Sequence, residues 1–237
     1  MKFFFLPVLA TLGMAVPAYA DKAREDARAR KIMYDYARCV VKIRHDRAAE
    51  AIIANADNST ILKEYPDLIN GACLGKTGGM GTQMTFGGDL YRYALADALV
   101  NADYSKKHEI DFSNRLPLAH IRSDTPAELD AKLAGVKSKR KRAEILEENK
   151  ETAAIGWVSR YGECVVREDP IRARFWLLTP PDSPEETSRI DDLRPIFAHC
   201  LPEGTMNFNR VTMRGTVAIN YFRLANATPQ QTAEKAQ

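Results

Sequence analysis

Apolar positions recur along this chain at the spacing of one helical face. Met33, Tyr36, Ala37, Val40 and Val41 fall at i, i+3, i+4, i+7 and i+8. The same spacing returns at Val158, Tyr161, Gly162, Val165 and Val166. Each set predicts an amphipathic helix, the first running from Asp21 to about Ile43. A second helix should follow each, from Arg47 to about Ala56 and from near Ile171. Two closing helices also show one apolar face. Leu90, Tyr91, Ala94, Leu95, Ala98 and Leu99 form the first, and Val217, Ala218, Tyr221, Phe222 and Ala225 the other. Between these lie polar loops. Ser183-Pro184-Glu185-Glu186 reads as a capping box opening a helix toward Cys200, and Pro66 should open a short helix carrying Leu68, Ile69 and Cys73. Met84–Phe86 and Val211–Met213 read as short extended pieces.

The helical pattern is written twice. Tyr36-Ala37-Arg38-Cys39-Val40-Val41 returns as Tyr161-Gly162-Glu163-Cys164-Val165-Val166. A second cysteine follows in each copy, at Cys73 and Cys200, each before a leucine. Gly88 and Gly215 then hold matching places at the entry to the closing helices, where close backbone approach or a positive φ would exclude other residues. The fold class is therefore mainly α: two tandem pseudo-repeated helical modules, joined by a helical insert. If each copy is a folded unit, the disulfides are Cys39–Cys73 and Cys164–Cys200. The rival is a crossed pairing, Cys39–Cys200 with Cys73–Cys164. A local loop of about 35 residues is worth roughly 3–4 kcal/mol in the chain-entropy model.

The insert spans residues 101–154, between a first module at 21–100 and a second at 155–225. Asp103 to Ile121 has weak periodicity and reads as an irregular connection. Thr125-Pro126-Ala127-Glu128 is a capping box; its helix should break at Gly135, resume, and run into the second module. Lys137, Lys139, Arg140, Lys141 and Arg142 form a basic run followed by Glu144, Glu147, Glu148 and Glu151. That is i, i+3 and i+4 pairing on a solvated face, with contact to an anionic surface as the alternative. The tail, residues 226–237, has a disordered composition.

The first twenty residues change the picture of where the chain works. Lys2, the apolar run Phe3 to Val16, and Ala18-Tyr19-Ala20 before Asp21 form a secretory signal peptide pattern. No later run reaches the ~20 apolar residues a membrane span needs. The reading is a periplasmic or secreted protein, consistent with paired cysteines. A net charge of +3 gives no bulk preference for nucleic acid, and 45% hydrophobic residues suffice for a core.

Candidate chemistry is sparse. No H-E-x-x-H or G-x-S-x-G occurs, no cysteine spacing suits a metal, and no cofactor is implied. Gly75-Lys76-Thr77 misses the phosphate-loop spacing, since Gly71 lies one residue off. The glycine-rich Gly75–Gly81 segment reads as a mobile or tightly turning loop. His45, His108, His120 and His199 are scattered, and Glu147-Glu148, Glu185-Glu186 and Asp191-Asp192 read as surface charge. Asn58-Ser59-Thr60 and Asn226-Ala227-Thr228 fit a glycosylation sequon common by chance. Matched polar residues are the better candidates: Tyr36 and Tyr161, Arg47 and Arg172, Thr85 and Thr212. Either they serve the fold, or two modules packed face to face place them around a shared cleft.

On its Cys-Val-Val, Cys-Leu and pre-helix glycine positions the chain resembles uncharacterised exported bacterial proteins built from a duplicated two-cysteine helical module. That resemblance implies no activity. The leading expectation is a non-catalytic binding or envelope-associated scaffold protein. A small periplasmic hydrolase on envelope polymer and an inhibitor or immunity-type protein are the alternatives.

Overall fold

The computed structural model describes residues 17–75, 89–106, 110–201 and 209–227. Gly88, Thr85, the Met84–Phe86 piece, most of Gly75–Gly81 and nearly all of the leader lie outside them. Among the described residues there are nine α-helices and no β-strand.

Helix α1 spans Pro17–Ile53, so it begins within the predicted leader. Its helical geometry is interrupted at Arg44 (φ −131°, ψ 39°), between the two helices expected there. The interruption reverses the chain. Tyr36 packs on Tyr91, His45 Nε2 lies 2.8 Å from Asp103, and Asn55 then returns to accept from Arg92. The second leg ends in a Schellman motif. Asn55 takes φ 58°, and Ala56 N–H donates to Ala51 O at 3.0 Å. Helix α2 (Asn58–Glu64), capped by Asp57, occupies what the sequence offered only as polar loop. A 3-10 turn at Pro66–Leu68 and helix α3 (Gly71–Leu74) follow. Helix α4 spans Leu90–Tyr104.

The insert contributes α5 (Pro126–Ala134), with both arms of the Thr125/Glu128 capping box formed. Helix α6 runs unbroken from Lys139 to Glu168, through the predicted module boundary. Its last residue precedes Asp169 (φ −149°, ψ 82°), which plays the part of Arg44 by separating α6 from α7 (Pro170–Leu177). Helix α8 covers Pro184–Cys200 and α9 covers Arg210–Asn226. Val211–Met213, expected as an extended piece, is the first turn of α9. Asn209 caps that turn by accepting from Thr212 N–H at 2.8 Å, so the cap favours helix over strand. Asn226, expected to open the tail, instead closes α9 and donates to Tyr104 Oη at 3.2 Å; residues 228–237 lie outside the described residues.

Disulfides join Cys39 to Cys73 and Cys164 to Cys200, as the local pairing requires. Both halves have a long helix, a break, a return helix, a second-cysteine helix and a closing helix, with α2 and the 3-10 turn added before the second cysteine in the first half. That order is compatible with a duplicated module. Helices α1, α4, α9 and α6 lie side by side in that sequence, with the closing helices central. Helix α9 is buried almost all round from Arg214 to Leu224. Tyr93 faces Gly215 and Tyr104 packs edge-on against Tyr221 and Phe222, so α4 and α9 run in the same direction. The buried apolar side chains of both halves form one contiguous cluster. Leu90, expected on the buried face of α4, is 41% exposed, because the helix starts there and turns it outward.

Candidate functional site

The five matched polar residues that lie among the described residues are not brought together around one cleft. Tyr36 is fully buried and its hydroxyl accepts from Asn70 N–H at 2.9 Å. Burial raises its pKa against the pull of that N–H donor. Tyr161 is buried against Trp157 and Phe197 in the other half, and burial pushes it up to about 12. Arg47 bonds Glu50 at 2.5 Å and covers the Tyr65 ring, whereas Arg172 is exposed and pairs with Asp169. These four serve their own modules, and Thr85 lies outside the described residues. Thr212 alone reaches a space shared by both halves.

That space is a groove of about 200 Å³. Arg92 and Tyr93 of α4, with Asp89 just before it, line one side, Ala154, Ile155, Val158 and Ser159 of α6 another, and Thr212, Thr216 and Ile219 of α9 a third. Close backbone packing builds it. A Cβ on Gly162 would stand 2.5 Å from Thr216 Oγ1, and one on Gly215 would stand 2.1 Å from Tyr93 Cγ. Gly215 is therefore needed for close approach, not for a left-handed turn. Thr216 Oγ1 donates to Val158 O at 3.0 Å and Asn220 Nδ2 to Ser159 O at 3.0 Å, which locks α9 to α6 at the groove. Arg92 is 7% exposed; it bonds Asp89 at 3.4 Å and the side chain of Asn55, and its buried Nε–H has no partner among the described residues. Burial pushes Tyr93 up to about 12.

Behind the groove the irregular connection is a packed strap. Backbone groups without helix or sheet partners need others once they are covered. Arg167 donates to the carbonyls of Phe112 (3.0 Å), Arg115 (3.2 Å) and Leu116 (2.8 Å), and Arg223 to that of Ala119 (3.0 Å). Phe112 is buried edge-on against Tyr221. Gly156 admits the strap, since a Cβ there would lie 2.2 Å from Ile121 O. Glu163 receives Leu118 N–H at 3.1 Å, Arg167 Nε at 2.7 Å and His120 Nε2 at 2.5 Å. The other ring nitrogen of His120, Nδ1, lies 2.7 Å from Ser159 Oγ. Burial alone would raise Glu163, but His120, Arg167 and the Leu118 N–H outweigh it and hold it below the usual carboxylate range. Arg223 is lowered by burial and by the nearby charge of Arg92.

A second polar cluster joins the halves within the core. Arg214 of α9 bonds Asp97 of α4 at 3.1 Å and Glu186 of α8 at 2.9 Å, with further bonds to the carbonyls of Leu177 and Thr179, both at 2.8 Å. Burial pushes Asp97 up, opposed by Arg214. Burial also acts to lower Arg214, but its two carboxylates hold it above the ordinary arginine value. Glu186 was expected as surface charge and as the reciprocal arm of a capping box. It is instead 1% exposed. Ser183 does accept from Glu186 N–H at 3.0 Å, but the Glu186 carboxylate turns inward, to Arg214 and to Asp182 N–H.

The remaining sequence candidates are peripheral. Asn58 is buried and accepts from Arg92 N–H, which makes it a poor glycosylation acceptor. Arg140 pairs with Glu144 and Arg142 donates to Leu133 O, while Lys137, Lys139 and Lys141 are exposed. Among the described residues no group of His, Cys, Asp and Glu is arranged to hold a metal ion. No described helix is long and apolar enough to cross a membrane. No family model, curated protein or solved structure matches this chain.

Proposed function

We propose that this chain is an exported, envelope-associated binding protein that seats a small ligand in the groove between its two modules. The groove itself carries the reading: α4 of one half and α6 and α9 of the other each contribute a wall. Ligand pockets favour such junctions between packed units, with apolar walls and a few fixed polar groups. Ile155, Val158 and Ile219 supply the apolar surface here. Thr212 and Arg92 supply polar contacts. Export is supported by the leader pattern before Asp21. Two disulfides support it too, since they persist in oxidising compartments. The resemblance to exported two-cysteine bacterial proteins belongs to the same reading.

The test is a thermal-shift screen of small envelope-derived molecules (amino sugars, short D-amino acid peptides and phosphate esters) against the native chain and Ile219→Trp. The indole should fill the groove. At least one compound should raise Tm in the native protein and leave the variant unmoved. If none does, or if both proteins respond alike, the groove reading is wrong.

A further inference from the structure

We infer that the groove is also an acyl-transfer site, with Ser159 as nucleophile, His120 as its base and Glu163 as the carboxylate that orients the base. The inference rests on the groove accepting a ligand and adds a reaction to it. Three observations carry it. Ser159 lines the groove. Its Oγ lies 2.7 Å from His120 Nδ1, within reach for direct proton transfer. His120 Nε2 lies 2.5 Å from Glu163 Oε2, and both side chains are 9% exposed.

The protonation pattern follows from the partners. An ionised carboxylate only accepts. Glu163 is held ionised by Arg167 and the Leu118 N–H, so Nε2 carries the proton and donates to it. Nδ1 is then left with its lone pair toward the serine hydroxyl. This is the logic of a hydroxyl, a base and an orienting third group. The strap holds His120 in place through Leu118 and Ala119, the two residues that precede it in the chain. The serine backbone is held by Asn220.

The substrate class is a small ester, its acyl group lying against Ile155, Val158 and Ile219. Ser159 Oγ attacks the ester carbonyl carbon as its proton passes to His120 Nδ1. The imidazolium is stabilised by Glu163. Arg92, which lines the groove, is the charge available there for the tetrahedral oxyanion. The bond to the alkoxy group then breaks, and Nδ1–H protonates the departing alcohol. Water attacks the acyl-serine and gives its proton to Nδ1. The acyl–Oγ bond breaks and Ser159 recovers the proton. Ester and water become acid and alcohol, with no other reactant.

A serine-reactive fluorophosphonate tests this on the folded, disulfide-bonded chain, read by intact mass and peptide mapping. One adduct at Ser159 is expected, absent in Ser159→Ala. Labelling should rise with pH through a single ionisation as the imidazole loses its proton. In Glu163→Gln it should slow by about 10²-fold or more, with a displaced pH profile. Since His120→Gln would also release the strap, the pH profile of the native protein is the readout that does not depend on that variant. An unmodified Ser159, an adduct elsewhere, or a flat pH profile overturns the inference. If groove ligands still raise Tm while Ser159 stays unlabelled, the trio is only a latch for the strap and the binding reading survives alone.

Discussion

Arg214 shows how one residue can be placed by charges that come from far apart in the chain. Its guanidinium faces Asp97 and Glu186, each almost wholly buried. Burial holds Asp97 above its ordinary range against the pull of Arg214, and the like charge of Glu186 adds to it. Arg214→Met should strand both carboxylates in the core and cost about 3–5 kcal/mol at neutral pH. Asp97→Asn removes one of the two like charges and keeps a hydrogen-bond acceptor, so it should cost much less. Urea midpoints compare them, and a methionine variant within about 1 kcal/mol of the parent would contradict this account. Gly215 makes a separate claim: Gly215→Ala should cost about 1–3 kcal/mol by overpacking against Tyr93. A double-mutant cycle with Tyr93→Gly, which removes the Tyr93 Cβ as well as the ring, should show coupling of about 1 kcal/mol or more. Additive losses would mean that the methyl meets something else. None of this was legible in one dimension. Neighbouring acids on a helix diverge by about 100°, so Glu185 faces out and Glu186 in. Nothing local says which of the two is buried.

At the scale of elements, periodicity carried as far as helices that bury one face. Tyr36, Ala37, Val40 and Val41 and their counterparts Tyr161, Gly162, Val165 and Val166 are all buried. The breaks between first and second helices fall where the apolar spacing lapses. The strap was not legible, because an irregular segment has no period and its hydrogen-bond partners on α6 and α9 lie 39 to 104 residues away. His120 looked like a scattered histidine for that reason. The strap predicts a pH dependence whose sign can be worked out. Glu163 has a folded pKa below its unfolded one. Its contribution is present above the unfolded carboxylate range and is lost as pH falls through the folded value. Glu163→Gln should therefore cost about 1.5–3 kcal/mol at pH 7, the worth of hydrogen bonds to a charged group. The gap between variant and parent should close on acidification. Asp57 and Asp111 are also lowered but titrate in both proteins, so the difference isolates Glu163. A gap that stays constant down to acid pH would mean that the carboxylate does not hold the strap by its charge.

For the whole molecule, the doubled cysteine pattern invites a picture of two small domains, each stapled by its own bridge. The packing argues for one cooperative unit. Helices α4 and α9 are central and lie against each other, and the apolar cluster runs through both halves without a gap. Arg214 and Asp97 bridge them in the core, and Arg30 reaches Asp182 at 2.6 Å on the surface. Each module would expose its closing helix if the other unfolded. The chain's two tryptophans, Trp157 and Trp176, both belong to the second half, so fluorescence reports that half alone. Removing the first bridge with Cys39→Ser and Cys73→Ser frees a loop with a sequence separation of 34. That loop is worth roughly 3–4 kcal/mol in the chain-entropy model. In a shared core the loss must reach the tryptophans. Their unfolding midpoint should fall together with the far-ultraviolet circular dichroism midpoint, in a single transition. Independent modules would instead leave the tryptophan midpoint where it was and split the dichroism curve in two. The groove would not survive that second outcome, since it has walls from both halves.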